Sequence, residues 1–272
     1  MASVNECHRR RHVYAFIMEI GTKVNADAQT IGSAILITHR MLQKINCNHN
    51  LRNHQNIDCH MLAMSCLYLS AKLNEDSKFN CRDIINVCHR VLIEKPIQIS
   101  TSSVAIHLSS TQAVPLDHER VQRLRESIGQ LELFVCVSVG FQYLLSITKD
   151  TAYNYLVHYL HALRCHIAKS IWQTVPLVQT AWTLLKDVYI APELVNSVSS
   201  QCLAAVVLYV SCRIFGIESE LMRSGNVQKY DHKATESNVM FWNELCPEWK
   251  TTSDIEVVVS RVMTEVYGIG SK

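Results

Sequence analysis

The sequence predicts an all-α protein made of two helical domains in tandem. Hydrophobic residues make up 48% of the 272 residues, with only 8 Gly and 5 Pro, which favours ordered helices over long unstructured segments. Residues 58–75 are apolar on nearly every side, and Leu62, Cys66, Leu69 and Leu73 recur at helical spacing. Such a helix must be enclosed by other helices, so it is the predicted centre of a domain.

A second copy of this central helix lies 141 residues downstream, the distance from Leu62 to Leu203. Residues 67–72 align with residues 208–213, including the small residues and the terminal cation. A chain of this length holds two domains of ordinary size. Two copies therefore indicate a duplicated domain rather than a solenoid, which needs at least three shorter repeats.

The first domain is placed at residues 13–146, after a polar tail over residues 1–12. Its first helix is predicted at residues 13–21. Asp27 is positioned to cap the second helix, whose apolar residues run from Ile31 to Ile45.

Asp58 is the predicted cap of the central helix, and residues 80–90 form a fourth helix. Residues 97–115 are rich in Ser, uncharged and without helical period, so we expect an exposed insertion loop that is dispensable for the fold. A fifth helix starts at Asp117 and ends near Gly140.

The second domain is placed at residues 147–267, followed by a tail over residues 268–272. Helices are predicted from residue 150 through Leu160, at residues 176–189, at the repeated central stretch 203–215 and at residues 255–266. The polar stretch 217–237 is predicted to be a loop.

The net charge of +2 is nearly neutral, whereas a dedicated nucleic-acid binder usually carries a strong basic stripe. Arg9, Arg10 and Arg11 form a short basic cluster that is either a solvated tail or a nuclear-targeting signal. Neither a signal peptide nor a membrane-spanning apolar run is expected, so the predicted location is nuclear and/or cytoplasmic.

The 11 cysteines are scattered and include no C-x-x-C pair. Cys66, Cys136 and Cys202 occupy predicted core positions, so we interpret them as small buried hydrophobic residues in a reducing compartment.

Two groups of residues have the ligand types that zinc prefers: Cys47, His49, His54, Cys59 and His60, and His158, His161, Cys165 and His166. Neither spacing matches a common structural zinc site, so loop composition explains the first group and packing or exposure the second. No phosphate-binding glycine loop, nucleophile elbow or H-E-x-x-H motif is present. We therefore expect no metal, no cofactor and no catalytic residue.

Two five-helix units with the motif L-A-x-x-x-L-Y-L-S-A-K at residues 62–72 resemble the tandem cyclin boxes of a cyclin. The resemblance covers about residues 13–267. Residues 16–19, 82–87, 172–173 and 181–185 are similar, more narrowly, to the cyclin Q subfamily, also called cyclin M.

This resemblance implies a non-catalytic activating subunit of a cyclin-dependent kinase, and the narrower one implies cyclin-dependent kinase ten as partner. In cyclins, a Lys ending helix three and a Glu in helix five contact the kinase αC helix; Lys72 and Glu132 match them. The family's surrounding apolar patch corresponds to Leu69, Leu73, Cys136, Phe141 and Tyr143.

Each of these residues also has an ordinary structural explanation. A Lys at a helix C-terminus is favoured by the helix dipole, a Glu on an amphipathic helix is usually solvated, and the apolar residues suit a core. The family's K-x-E-E is K-L-N-E at residues 72–75, so Asn74 replaces one carboxylate. The helix-one pattern that docks substrates in cell-cycle cyclins is also missing, and the second helix keeps Arg40 but loses two aromatic residues.

The rival interpretation is a transcription-initiation factor of the transcription factor IIB type, whose core repeats share this fold and bind promoter DNA. The near-neutral charge and the absence of an N-terminal zinc ribbon count against it. A helical enzyme has no supporting residue.

Overall fold

The computed structural model describes residues 2–47, 58–94, 117–217 and 252–268. These residues form helices joined by turns, with no strand among them, which confirms the all-α prediction. The chain divides into two compact units, Met1–Thr148 and Lys149–Lys272.

Numbered within the described residues, the first six helices are α1 (Ala2–Lys23), α2 (Ala28–Cys47), α3 (Cys59–Leu73), α4 (Cys81–Glu94), α5 (His118–Val139) and α6 (Phe141–Lys149). The helices that follow are α7 (Ala152–Arg164), α8 (Lys169–Thr174), α9 (Leu177–Tyr189), α10 (Pro192–Ser197), α11 (Ser200–Ile214) and α12 (Thr252–Tyr267).

Helix α3 is the centre of the first unit and packs against α1, α2, α4 and α5. Its residues 62–67 are buried without interruption, as expected for a helix that is apolar on nearly all sides. Asp58 caps it, since the carboxylate accepts a hydrogen bond from the backbone N–H of His60 at 3.0 Å. Both the central helix and its cap are confirmed.

Helix α11 occupies the same place in the second unit and packs against α7, α9 and α12. With the offset found in the sequence, Cys59 corresponds to Ser200 and Leu73 to Ile214, so the two helices begin and end at equivalent positions. The residue before α11 is again a cap, because Ser199 Oγ accepts from the backbone N–H of Cys202 at 3.3 Å.

The C-terminal end of α3 is fixed to the start of α2 by buried polar contacts. The buried carboxylate of Asp76 accepts from the backbone N–H of Asp27 at 2.8 Å and from Thr30 Oγ1 at 3.0 Å. Ser70 Oγ donates to the carbonyl oxygen of Thr30 at 2.6 Å. Buried hydrogen bonds to a carboxylate are costly to break, so the last turn of α3 has a defined position.

The structure differs from the prediction at the N-terminus, where α1 begins at Ala2 instead of residue 13. Residues 2–12 contain neither Gly nor Pro, so nothing local stops the helix from extending. The short helices α6, α8 and α10 were not predicted, because six to nine residues show too little of the helical period. Gly140 separates α5 from α6 with a φ of 94°, a conformation that favours glycine.

The predicted loop at 97–115 lies outside the described residues, as does the predicted loop at 217–237 beyond Ile217. Residues 48–57, with His49 and His54, lie outside them too.

Of the three cysteines that the sequence placed in the core, two match the prediction of buried free thiols and one does not. Cys66 and Cys136 are free and buried, and burial raises the pKa of the Cys66 thiol to about 12. Cys202 is buried but disulfide-bonded, so the prediction of a free thiol there is wrong. Pairing depends on which sulfurs meet in the fold, which spacing alone does not reveal.

Within the described ranges, no single helix is long and apolar enough to cross a membrane. By length and composition alone, the bent pair of residues 118–139 and 141–164 passes that test.

We expect Gly21→Val to destabilise the first unit by about 1–3 kcal/mol, since it overpacks the contact between α1 and α2. A β-carbon at Gly21 would lie 2.6 Å from Cγ1 of Ile31, which is only 2% exposed. The control is Gly129→Val in α5, where a β-carbon would meet nothing within 4 Å. Thermal unfolding should show a lower midpoint for the first variant only, and equal midpoints would contradict the packing described.

Candidate functional site

Lys72 and Glu132, predicted from sequence to act together, lie side by side. Lys72 is the penultimate residue of α3, and its Nζ is 2.6 Å from Oε1 of Glu132 in α5. The Lys72 side chain is 51% exposed and that of Glu132 is 12% exposed. The Lys72 ammonium also lies 4.3 Å from the centroid of the Tyr68 ring, one helical turn back.

Packing of α3 against α5 explains why the two side chains meet. Both helices contribute to one apolar core cluster, which includes Cys66 and Leu69 from α3 and Val135 and Cys136 from α5. Above this cluster, Lys72 emerges at the C-terminus of α3, where a cation is favoured by the helix dipole. The ion pair therefore sits at the solvent edge of a rigid helix contact.

Two cysteine thiols lie close enough to the ion pair to feel its charges. Burial raises the pKa of the Cys136 thiol, the nearby Glu132 carboxylate raises it further, and Lys72 opposes the shift. The pKa of the Cys81 thiol is also raised, mainly by burial. Both thiols therefore stay uncharged at neutral pH, and the charges that act on them are those of Lys72, Glu132 and Arg125.

The structure divides the five apolar residues of the predicted patch into three kinds. Leu69 and Cys136 are buried in the core cluster, at 6% and 8% exposure. Leu73 and Tyr143 are half-buried and pack against that cluster, with the Arg40 guanidinium 5.3 Å from the Tyr143 ring centroid. Phe141, by contrast, is 64% exposed and is available to a partner.

Three further exposed apolar residues on α5 and α6 were missed from the sequence. Leu133, Val137 and Leu145 are 65%, 71% and 56% exposed. With Phe141 they form what we call the exposed apolar set, each member four residues after the last. The signal was present, because residues 133–137 are all apolar whereas a surface helix needs only one apolar stripe.

Asn74, which stands where the family pattern has an acidic residue, is turned toward its own helix. Its Nδ2 donates to the carbonyl oxygen of Ser70 at 2.9 Å and contacts Ser70 Oγ at 3.2 Å. The same carbonyl oxygen accepts from the backbone N–H of Asn74 at 3.0 Å, so the side-chain amide adds a second hydrogen bond at the end of α3. The substitution therefore exchanges a surface charge for a local contact.

In the part of the chain that the structure describes, no group of three His, Cys, Asp or Glu side chains is arranged to hold a metal ion. His158, His161, Cys165 and His166, weighed from the sequence as a ligand group, are all exposed.

Comparison with known protein families matches residues 2–104 to the family described as Cyclin, N-terminal domain. The matched residues lie within the first unit. The match supports the cyclin family for this chain and includes Lys72, whereas Glu132 lies beyond the matched residues.

The whole chain is also similar in fold to a chain in the crystal structure of the yeast RNA Pol II CTD kinase CTDK-1 complex. The TM-score is 0.54 at 14% sequence identity, and the similarity covers 93% of this chain and 69% of that one. At this identity the likeness concerns the fold alone.

Proposed function

We propose that this chain is a non-catalytic regulatory subunit that activates a cyclin-dependent kinase by docking on the kinase αC helix through its first unit. The observation that carries the proposal is the half-exposed Lys72 paired with Glu132 at the edge of a cyclin N-terminal domain. The fold similarity to a chain of a CTD kinase complex also favours a kinase partner.

The ion pair has the chemistry needed to hold the end of a partner helix. A helix terminus presents backbone N–H or C=O groups without helical partners. The Lys72 ammonium donates to such carbonyl oxygens, and the Glu132 carboxylate accepts from such N–H groups. Since the two charges satisfy each other in the free chain, neither is left buried and unpaired before the kinase arrives.

Replacing the contact between Lys72 and Glu132 by contacts with a kinase costs the first unit little stability. An ion pair with one half-exposed member contributes only about 0–1 kcal/mol to folding. Once a kinase covers the site, water is excluded and each charged hydrogen bond is worth more, about 1.5–3 kcal/mol. Lys72 and Glu132 should therefore matter more for binding than for stability.

The exposed apolar set supplies the area that such a contact needs. Interfaces combine a core of apolar and aromatic side chains with a few oriented polar groups. Covering Phe141, which is 64% exposed, would contribute on the order of 1–2 kcal/mol. Docking is the simplest use for four large apolar side chains left in water on α5 and α6.

The narrower proposal is that the chain is a cyclin of the Q (M) type and that its kinase is cyclin-dependent kinase ten. Its support is the sequence similarity at residues 16–19, 82–87, 172–173 and 181–185. We further propose that the complex acts in the nucleus and/or cytoplasm, in cell-cycle or transcriptional control.

Copurification with a panel of cyclin-dependent kinases, including cyclin-dependent kinase ten, tests both levels. We expect at least one kinase to be retained and to gain activity on a peptide substrate. Retention of another kinase alone would refute only the narrower proposal. If no kinase were retained and a promoter DNA duplex were bound instead, the transcription-factor interpretation would replace the main proposal.

We expect Phe141→Ala to weaken kinase binding by about fivefold to thirtyfold, because a large apolar contact is removed. The free chain should keep its thermal midpoint, since this side chain is mostly in water. Ile214→Ala is the matched control, being 56% exposed at the end of α11 in the other unit. Equal affinity for both variants in a titration would remove Phe141 from the interface.

A further inference from the structure

The second unit contains a pocket between α7, α8 and α9 that the proposed kinase contact does not use. Its volume is about 270 Å³. The lining includes Val157, His161 and Arg164 from α7, Trp172 from α8, and Val178 and Trp182 from α9.

The pocket is apolar and held open by aromatic packing. The Trp182 ring stacks on the ring of Tyr153, with centroids 5.3 Å apart and an angle of 20° between the planes. Tyr153 is 2% exposed and lies against the buried Tyr189 ring, with centroids 4.9 Å apart. The Trp182 ring is therefore held in position before a ligand binds, and little entropy is lost in ordering it on binding.

The wall of the pocket is open to water. Val157 and Val178 are 40% and 37% exposed, although both are aliphatic and both line the same cavity. Pockets for drug-sized ligands and cofactors measure about 300–1,000 Å³. A slightly smaller cavity suits one or two amino-acid side chains rather than a whole cofactor.

The Asp, Glu, Lys and Arg residues within the segment that lines this pocket carry charges of one sign. The sequence contains no Asp or Glu from residue 151 to residue 186, but it contains Arg164, Lys169 and Lys186 there. Arg164 is exposed at the rim and makes no ion pair with the carboxylates that the structure describes. A guanidinium beside an apolar cavity complements a carboxylate next to a bulky apolar group.

We propose that this pocket of the second unit binds an acidic peptide segment, seating one bulky apolar side chain between Trp172 and Trp182 while Arg164 pairs with a neighbouring carboxylate. The occupant is a peptide rather than a nucleic acid, because duplex binding depends on a stripe of several cations facing phosphates. Here the lining is apolar, with a single Arg at the rim. The site would give a kinase complex a second place to hold a substrate or scaffold protein.

The test uses the full chain labelled with ¹⁵N and a capped hexapeptide containing one leucine, one phenylalanine and two aspartates. Binding is followed by the indole N–H signals of Trp172 and Trp182, assigned from the Trp172→Phe and Trp182→Phe variants. We expect both signals to shift in a saturable titration. A peptide with lysines in place of the aspartates should bind at least about tenfold more weakly, and so should one with serines in place of the two apolar residues.

Variants of the chain locate the binding. Arg164→Glu should lower the affinity for the acidic peptide by about tenfold or more. Val178→Trp should prevent the peptide from binding, because the larger side chain fills the cavity. Arg213→Glu, which reverses an exposed cation at the end of α11 outside the pocket, should bind like the parent. Circular dichroism establishes that each variant is folded, and a substitution that unfolds the chain is replaced by Val157→Phe.

Equal binding of the acidic and basic peptides, or unchanged affinity in Arg164→Glu, would overturn the proposal. So would a short DNA duplex that shifted the two indole signals at lower concentration than the peptide. Copurified kinase is measured in parallel, because loss of peptide binding with the kinase retained separates this site from the contact made by the first unit.

Discussion

Lys72→Glu should lower the affinity for the kinase by roughly a hundredfold or more while the free chain stays folded. The substitution removes the donor that would meet carbonyl oxygens on the kinase and places a second carboxylate beside Glu132, whose oxygen lies 2.6 Å from the ammonium it replaces. In the free chain the repulsion is weakened by water, because the Lys72 side chain is 51% exposed. Affinity is measured by titration with purified kinase and folding by the thermal midpoint.

The charge-swapped pair Lys72→Glu with Glu132→Lys separates an interface from a structural ion pair. The swap restores attraction between α3 and α5, so the thermal midpoint should return toward that of the parent. Kinase binding should stay lost, because both charges now have the wrong sign for the partner's backbone groups. Recovery of binding in the swapped chain would mean that the pair serves only the fold, and the proposed contact would be abandoned.

Lys149→Glu is the matched control for this series. Lys149 is exposed at the end of α6. The substitution Lys149→Glu changes the net charge by the same amount as Lys72→Glu. It should bind the kinase normally. Equal losses for the two variants would point to a general effect of net charge instead of a specific site.

Leu69→Ala should destabilise the first unit by about 2–5 kcal/mol, because it opens a cavity where α3 packs against its neighbours. Leu69 is 6% exposed and belongs to the core cluster that also contains Val135 and Cys136. Chemical denaturation should show a lower midpoint with an unchanged slope. Below the unfolding transition, kinase affinity should change far less than in Phe141→Ala.

Leu133→Ala tests whether a buried and an exposed leucine have these different roles. The same residue type at 65% exposure should alter stability by no more than about 0.5 kcal/mol, and it should weaken kinase binding. If Leu69→Ala left the unfolding midpoint unchanged, the core placement of Leu69 would be wrong.

The sequence by itself determined the helical class, the central helix of each unit, the cap at Asp58 and the start of α5 just after Asp117. These features rest on local patterns, namely apolar residues at helical spacing and a side chain that accepts from the first helical turn. The duplicated helix was visible for the same reason, and its offset holds to the residue from α3 to α11.

Only the tertiary structure decided which apolar residues are core and which face water. Leu69 and Phe141 were equivalent members of one predicted patch, but the packing of α3 against α5 buries the first and leaves the second 64% exposed. The tertiary structure also showed the contact between Lys72 and Glu132, the disulfide at Cys202 and the pocket beside Trp182. Each depends on residues far apart in the chain, whose distances are set by how helices pack and leave no periodic signal in the sequence.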